Sequence, residues 1–108
     1  MQGFAKHQNL YDMSVELILK LRHKEGLDEA LYSTLLQQLL AKLEAQRDSG
    51  QIDKGIAYLV FTIPYMMENQ LGVYNASSDD ERYIRIEAAA LRFREEMEAY
   101  FDGFRLAE

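Results

Sequence analysis

Ile56 to Met67 read IAYLVFTIPYMM, twelve positions in which Thr62 alone has a mainly polar side chain. Elsewhere the chain places a charged or amide side chain every three or four residues; here there is none. A helix that is apolar all round must be covered all round, by the rest of its own fold or by another chain. Pro64 lies inside the run, where it removes one backbone hydrogen bond and crowds the carbonyl of Val60. A kink, or a break near Ile63, is therefore predicted. The β-branched and aromatic residues of YLVFTI also fit a buried strand. A lone strand needs a pairing partner, and no second strand pattern occurs in the chain. Helix is the favoured reading.

Working outward, Asp53 is placed to cap this third helix, which is predicted to run to about Leu71 before Gly72. Upstream, Asp48-Ser49-Gly50 closes a second helix that Asp28 caps, with Glu29 favourable at the positive end of its dipole. Leu31, Leu35, Leu39 and Leu43, with Tyr32, Leu36 and Leu40, give that helix a broad apolar face. The first helix is predicted from Asn9 to Glu25. Leu10, Met13 or Ser14, Leu17 and Leu21 keep its 3–4 rhythm, and Val15, Ile18 and Leu19 widen the stripe. Gly26 stands where a left-handed C-terminal residue belongs. The link to the second helix is short enough for a hairpin.

Downstream, Ser78-Asp79-Asp80-Glu81 fits a capping box. Tyr83, Ile86, Ala90, Phe93, Met97, Tyr100 and Phe104 then alternate three and four residues apart, with Ile84, Leu91 and Phe101 beside the row. Such regularity suits a bundle or coiled-coil seam. The expected architecture is all-α: one domain over residues 1–108, a four-helix antiparallel bundle with a frayed start over residues 1–8. Its third helix is kinked or broken at Pro64 and covered either by the other helices or across a homodimer seam.

The chain has 108 residues and no cysteine, which excludes a disulfide framework, thiolate metal sites and Cys nucleophiles together. No basic head followed by an apolar stretch marks a secretory signal, and the apolar run is far shorter than the roughly 20 residues a bilayer demands. A cytoplasmic location without membrane association is expected. Net charge is −6. Residues 1–50 carry six Lys/Arg against seven Asp/Glu, and residues 51–108 carry six against eleven. The acidic excess argues against nucleic-acid binding, which works by displacing counterions with Lys and Arg, and it permits a basic partner. The arginines at Arg82, Arg85, Arg92 and Arg94 are interleaved with glutamates that cancel their field.

The chemical inventory is thin. His7 and His23 belong to different segments, and His23 in the last turn of the first helix suits that helix's dipole. No Glu-x-x-His pair exists for a carboxylate-bridged metal site. Asp79-Asp80-Glu81 and Glu95-Glu96-x-Glu98 lack the alternating ligands and central glycine of a calcium loop. The glycines are isolated, so no phosphate loop forms, and no histidine is placed to activate a serine. Asn75-Ala76-Ser77 matches a glycosylation acceptor with no secretory context to use it. No catalytic residue, cofactor or metal is expected, nor an enzyme.

What remains is surface. Tyr58, Phe61, Tyr65, Met66, Met67, Tyr100, Phe101 and Phe104 are the candidate partner-binding residues: methionines adapt to irregular partners and aromatics anchor them. The expectation is a small acidic interaction module, chaperone, adaptor or immunity-type inhibitor, that buries an apolar-aromatic helix face against a protein. The alternative is a bundle that holds a small apolar or aromatic ligand near the Pro64 kink.

Overall fold

Four helices form where the apolar periodicity puts them: α1 (Gln8–Arg22), α2 (Glu29–Gln46), α3 (Lys54–Asn69) and α4 (Glu81–Ala107), with 3₁₀ turns at Arg47–Ser49 and Gln70–Val73. They are those of a computed structural model that describes residues 7–74 and 81–107, with position 48 and residues 101–107 described by backbone alone. Among the described residues there is no strand, so YLVFTI is helical. The expected capping residues Ser78, Asp79 and Asp80 and the Asn75-Ala76-Ser77 acceptor lie outside the described residues. The expected frayed start over residues 1–8 takes in two residues of the folded body: His7 is buried and Gln8 opens α1.

The helix ends follow from specific side chains. Asp28 Oδ1 accepts from Leu31 N at 3.0 Å and Asp53 Oδ1 from Gly55 N at 2.8 Å, satisfying backbone donors that a helix start leaves without partners. Gln46 Oε1 accepts from Asp53 N at 2.9 Å, tying the end of α2 to the cap of α3. At the end of α1 the reversal departs from expectation. The helix stops at Arg22, not Glu25, and the first left-handed residue is Lys24, at φ 63°, with Gly26 following at φ 81°. Lys24 N donates to Leu21 O at 3.1 Å and Glu25 N to Lys20 O at 2.9 Å. That pair of bonds is the Schellman closure, here built with a lysine where glycine is usual.

α3 runs as one α-helix through Pro64, without the predicted break. Pro64 is itself buried, so its ring packs into the core instead of facing outward.

Distances fix the helix directions. Lys20 Nζ reaches Asp28 Oδ2 at 2.6 Å across the first reversal, so α1 and α2 are antiparallel. Glu68, late in α3, bonds Arg94 at 2.6 Å, while Phe61, earlier, lines a groove with Met97 and Glu98, making α3 and α4 antiparallel. Tyr32 donates its hydroxyl to Ala89 O at 2.8 Å and Tyr100 donates to Leu43 O, so α2 and α4 run parallel. One core joins all four: Leu10, Leu17 and Leu21 of α1 meet Leu35, Leu39 and Leu43 of α2, Ile56, Leu59 and Ile63 of α3, and Ile86, Phe93 and Met97 of α4.

Two predictions test these ends. A side chain in the left-handed region costs roughly 1–2 kcal/mol, partly offset in Lys24→Gly by the greater freedom of glycine when unfolded. Lys24→Gly is expected to stabilise the protein by up to about 1 kcal/mol, measured by urea unfolding. Asp28 is held below the ordinary carboxylate range, first by its bond from Lys20 and then by the backbone N–H of Leu31. A depressed folded-state pKa gives stability that is full above the unfolded value of 3.8 and lost as pH falls through the folded value. Asp28→Asn keeps the cap and loses the charge. It should be less stable than the parent near neutral pH, and the gap should close as urea titrations descend below the ordinary carboxylate range.

Candidate functional site

The periodicity of α3 divides its circumference. Gly55, Ile56, Leu59, Val60, Ile63, Pro64 and Met67 turn inward and are buried. Tyr58, Phe61 and Tyr65 turn outward and are 47%, 67% and 58% exposed. The helix is therefore not covered on every side, as its composition led one to expect: neighbouring helices cover the inner half, and the aromatic outer half faces away from the core.

Grooves flank this ridge on both sides. Between α1 and α3, Tyr11, Val15, Leu19, Tyr58, Thr62 and Met66 contribute to one of about 210 Å³ that is open to the surface. Val15 and Leu19 are exposed there, at 39% and 41%, extending the apolar surface onto α1, and Arg22 lies in the same lining. Between α3 and α4, Phe61, Pro64, Arg94, Met97 and Glu98 contribute to a smaller one of about 80 Å³. Drug-sized ligands occupy roughly 300–1,000 Å³ and are mostly enclosed. Neither groove reaches that size, and Phe61 and Tyr65 do not line the larger one.

The polar edge of the ridge is a fork. Arg94 donates to Glu68 through Nε at 3.2 Å and Nη2 at 2.6 Å, a bidentate pair at the end of α3. The bond with Glu68 raises the Arg94 guanidinium above its ordinary value. Glu68 is thus an ion-pair partner at the boundary of the apolar run. Both α3 and α4 contribute to the fork, so it locks the ridge to its neighbour.

The other candidates separate. Met66 is half-buried in the wall of the larger groove. Met67 is 0% exposed and belongs to the core, so it presents nothing to a partner. Tyr100 is also inside, 7% exposed, its hydroxyl on the Leu43 carbonyl and the Arg47 guanidinium 4.8 Å from its ring centroid. Its place in the inward row of α4, with Phe93 and Met97, was the signal for burial. The side chains of Phe101 and Phe104 lie outside the described residues. Two exposed apolar residues of α4, Ile84 at 50% and Leu91 at 56%, flank the seam instead of joining it.

His7 is buried at the start of α1, with Nε2 3.2 Å from Asp53 Oδ1. It joins the starts of α1 and α3, at the opposite end of α3 from the fork. His23 follows the last residue of α1 as its C-cap. Among the described residues no three His, Asp or Glu side chains gather as a metal site. No helix among them is long and apolar enough to cross a membrane.

The chain matches no known protein family, no characterised protein and no solved structure. The ridge rests on its own geometry.

Position on the ridge or beneath it predicts opposite consequences for neighbours in sequence. Met67→Ala empties a packed site and should cost about 2–5 kcal/mol. Phe61→Ser changes an exposed side chain and should stay within about 0.5 kcal/mol of the parent. Paired denaturation curves measure both.

Proposed function

We propose that this protein is a small interaction module, acting as a chaperone, adaptor or immunity-type inhibitor, that buries the outer face of α3 against a partner protein. The observation that carries the reading is the row Tyr58, Phe61 and Tyr65, each about half exposed or more, with Val15 and Leu19 beside it. Contiguous apolar surface of this kind marks contact sites more often than it decorates a monomer. Tyrosine suits such a face, since it offers a large rigid ring with a polar tip at little entropic cost. A bend at Pro64 and association of two chains belong to the same reading, as does a cytoplasmic setting. Where the partner is a different protein, the acidic excess of the C-terminal half favours a basic one and would act mainly on the rate of encounter. A small apolar ligand is the weaker reading because the groove beside Tyr58 is shallow for one.

Tyr65→Asp places a charge at the centre of the proposed contact, where desolvating it is costly. The variant should keep the parent's helical circular dichroism and lose capture of the parent's partner in a pull-down. Retained capture of everything the parent binds would remove this face from the function.

A further inference from the structure

The outer face of α3 carries more than aromatic surface. Lys54, Tyr58, Phe61, Tyr65 and Glu68 follow one another at steps of four, three, four and three residues, the spacing of a coiled-coil seam, and all five are exposed. The row is about 21 Å long at 1.5 Å per residue. It is also close to symmetric about its centre, with its ends seven residues away on each side. Phe61 stands midway, a tyrosine follows on either side, and the ends carry opposite charge.

Those charges oppose the helix that bears them. The N-terminus of a helix favours anions and its C-terminus cations. α3 has no acidic residue in its first turn and no basic residue in its last; it begins with Lys54 and has Glu68 in the final turn. Among the described residues, Lys54 makes no ion pair. Folding of a single chain holds Glu68 through Arg94 but gives Lys54 no counterpart among those residues. Reversal of a second copy supplies one: with α3 antiparallel to its twin and a two-fold axis near Phe61, each Lys54 meets the other copy's Glu68 and each Tyr58 meets the other's Tyr65. The Glu68 carboxylate already accepts two bonds from Arg94, and with about four lone-pair positions it has room for an ammonium as well.

We infer that the partner seated on this face is a second copy of the chain, docked through α3 in antiparallel register with Lys54 against the partner copy's Glu68. This rests on the reading of α3 as a contact face and assigns its occupant. The interface is isologous, the same patch serving on both sides, and so it closes at two chains. Val15 and Leu19 extend it, since a two-fold across α3 brings the α1 side of one copy opposite the α1 side of the other.

The absence of cysteine makes the register directly readable. Chains carrying Lys54→Cys are mixed with chains carrying Glu68→Cys and oxidised. The expected product is a covalent pair in the mixture and none in either variant alone, because only the mixed pair brings two sulfurs within disulfide reach. Lys54→Cys linking to itself would mean parallel helices and would overturn the assignment. Charge exchange gives a second measure by sedimentation equilibrium. In the Arg94→Gln background, where a lysine at position 68 faces no fixed cation of its own chain, Lys54→Glu and Glu68→Lys should each weaken the dimer tenfold or more, and their combination should recover most of that loss. Arg94→Gln, which removes the fork without altering the row, should leave the dimer within a few-fold of the parent. Failure of the combination to recover overturns the register. A parent chain that stays monomeric at the highest soluble concentration overturns the second copy as occupant. In that case Tyr65→Asp still decides separately whether the face serves another protein.

Discussion

Ile56, Leu59, Ile63 and Met67 recur every three or four residues along α3, and each is at most 1% exposed because three other helices converge on that line. At roughly 25 cal/mol per Å² of apolar surface removed from water, burying side chains of this size is worth about 1.5–3 kcal/mol each. α2 also meets all three other helices, but the most extensive contact in the fold is that of α3 with α4. α4 packs along α3 in antiparallel fashion, α1 lies on its opposite flank, and α2 closes the core behind. α4, by contrast, meets the reversal after α1 where Arg82 Nη1 bonds the Lys24 carbonyl at 3.2 Å. Without α3 those two helices would share little. The continuous helix through Pro64 follows from the same constraint, because the proline ring is buried and the packing around it favours the helical path.

Polar locks then fix what apolar packing leaves adjustable. Three tyrosines each donate a hydroxyl to a carbonyl on a neighbouring helix: Tyr32 to Ala89, Tyr74 to Leu21 at 2.7 Å, and Tyr100 to Leu43. A helical carbonyl has a second lone pair, so it can accept such a bond without giving up its own helix. The directional bond then sets how far one helix slides along another. Tyr74 does more, since its oxygen also accepts from Gly26 N at 3.0 Å and the Arg82 guanidinium lies 5.2 Å from its ring centroid. It ties the first reversal to the second half of the chain. Tyr32 bears the mark of its site: burial lifts its phenol above the ordinary value, against a smaller opposing pull from Arg92.

Helix number, caps and inward rows were legible in the sequence because they are local. Asp28 and Asp53 cap as their side chains dictate, and Ile86, Ala90, Phe93, Met97 and Tyr100 keep one face over four turns. What periodicity did not reveal is how much of a circumference the neighbours reach. Residues 56–67 look alike all round, so Met67 and Phe61 read alike, yet one is wholly buried and the other 67% exposed. Only the positions of the other helices separate them. Tyr100 differs in another way: its neighbours make it part of the chain's aromatic end, but its register places it in the seam. Lys24 was hidden because a left-handed lysine has no sequence mark, whereas Gly26 two residues later does.

The premise that an apolar helix must be covered all round survives in altered form. Neighbours within the chain cover the side that folding requires, and the remaining side keeps its aromatic residues anyway. Polar residues at Phe61 or Tyr65 would leave the buried row Ile56, Leu59, Ile63 and Met67 untouched. Lys54 at the start and Glu68 at the end of α3 are charges that its dipole disfavours, and among the described residues only Glu68 is compensated, by Arg94. On the reading proposed above, the exposed rings and the end charges of α3 serve one contact between chains. They fall on one row, at seam spacing, and that coincidence is why the outer face of α3, and not the small grooves beside it, is where function is sought.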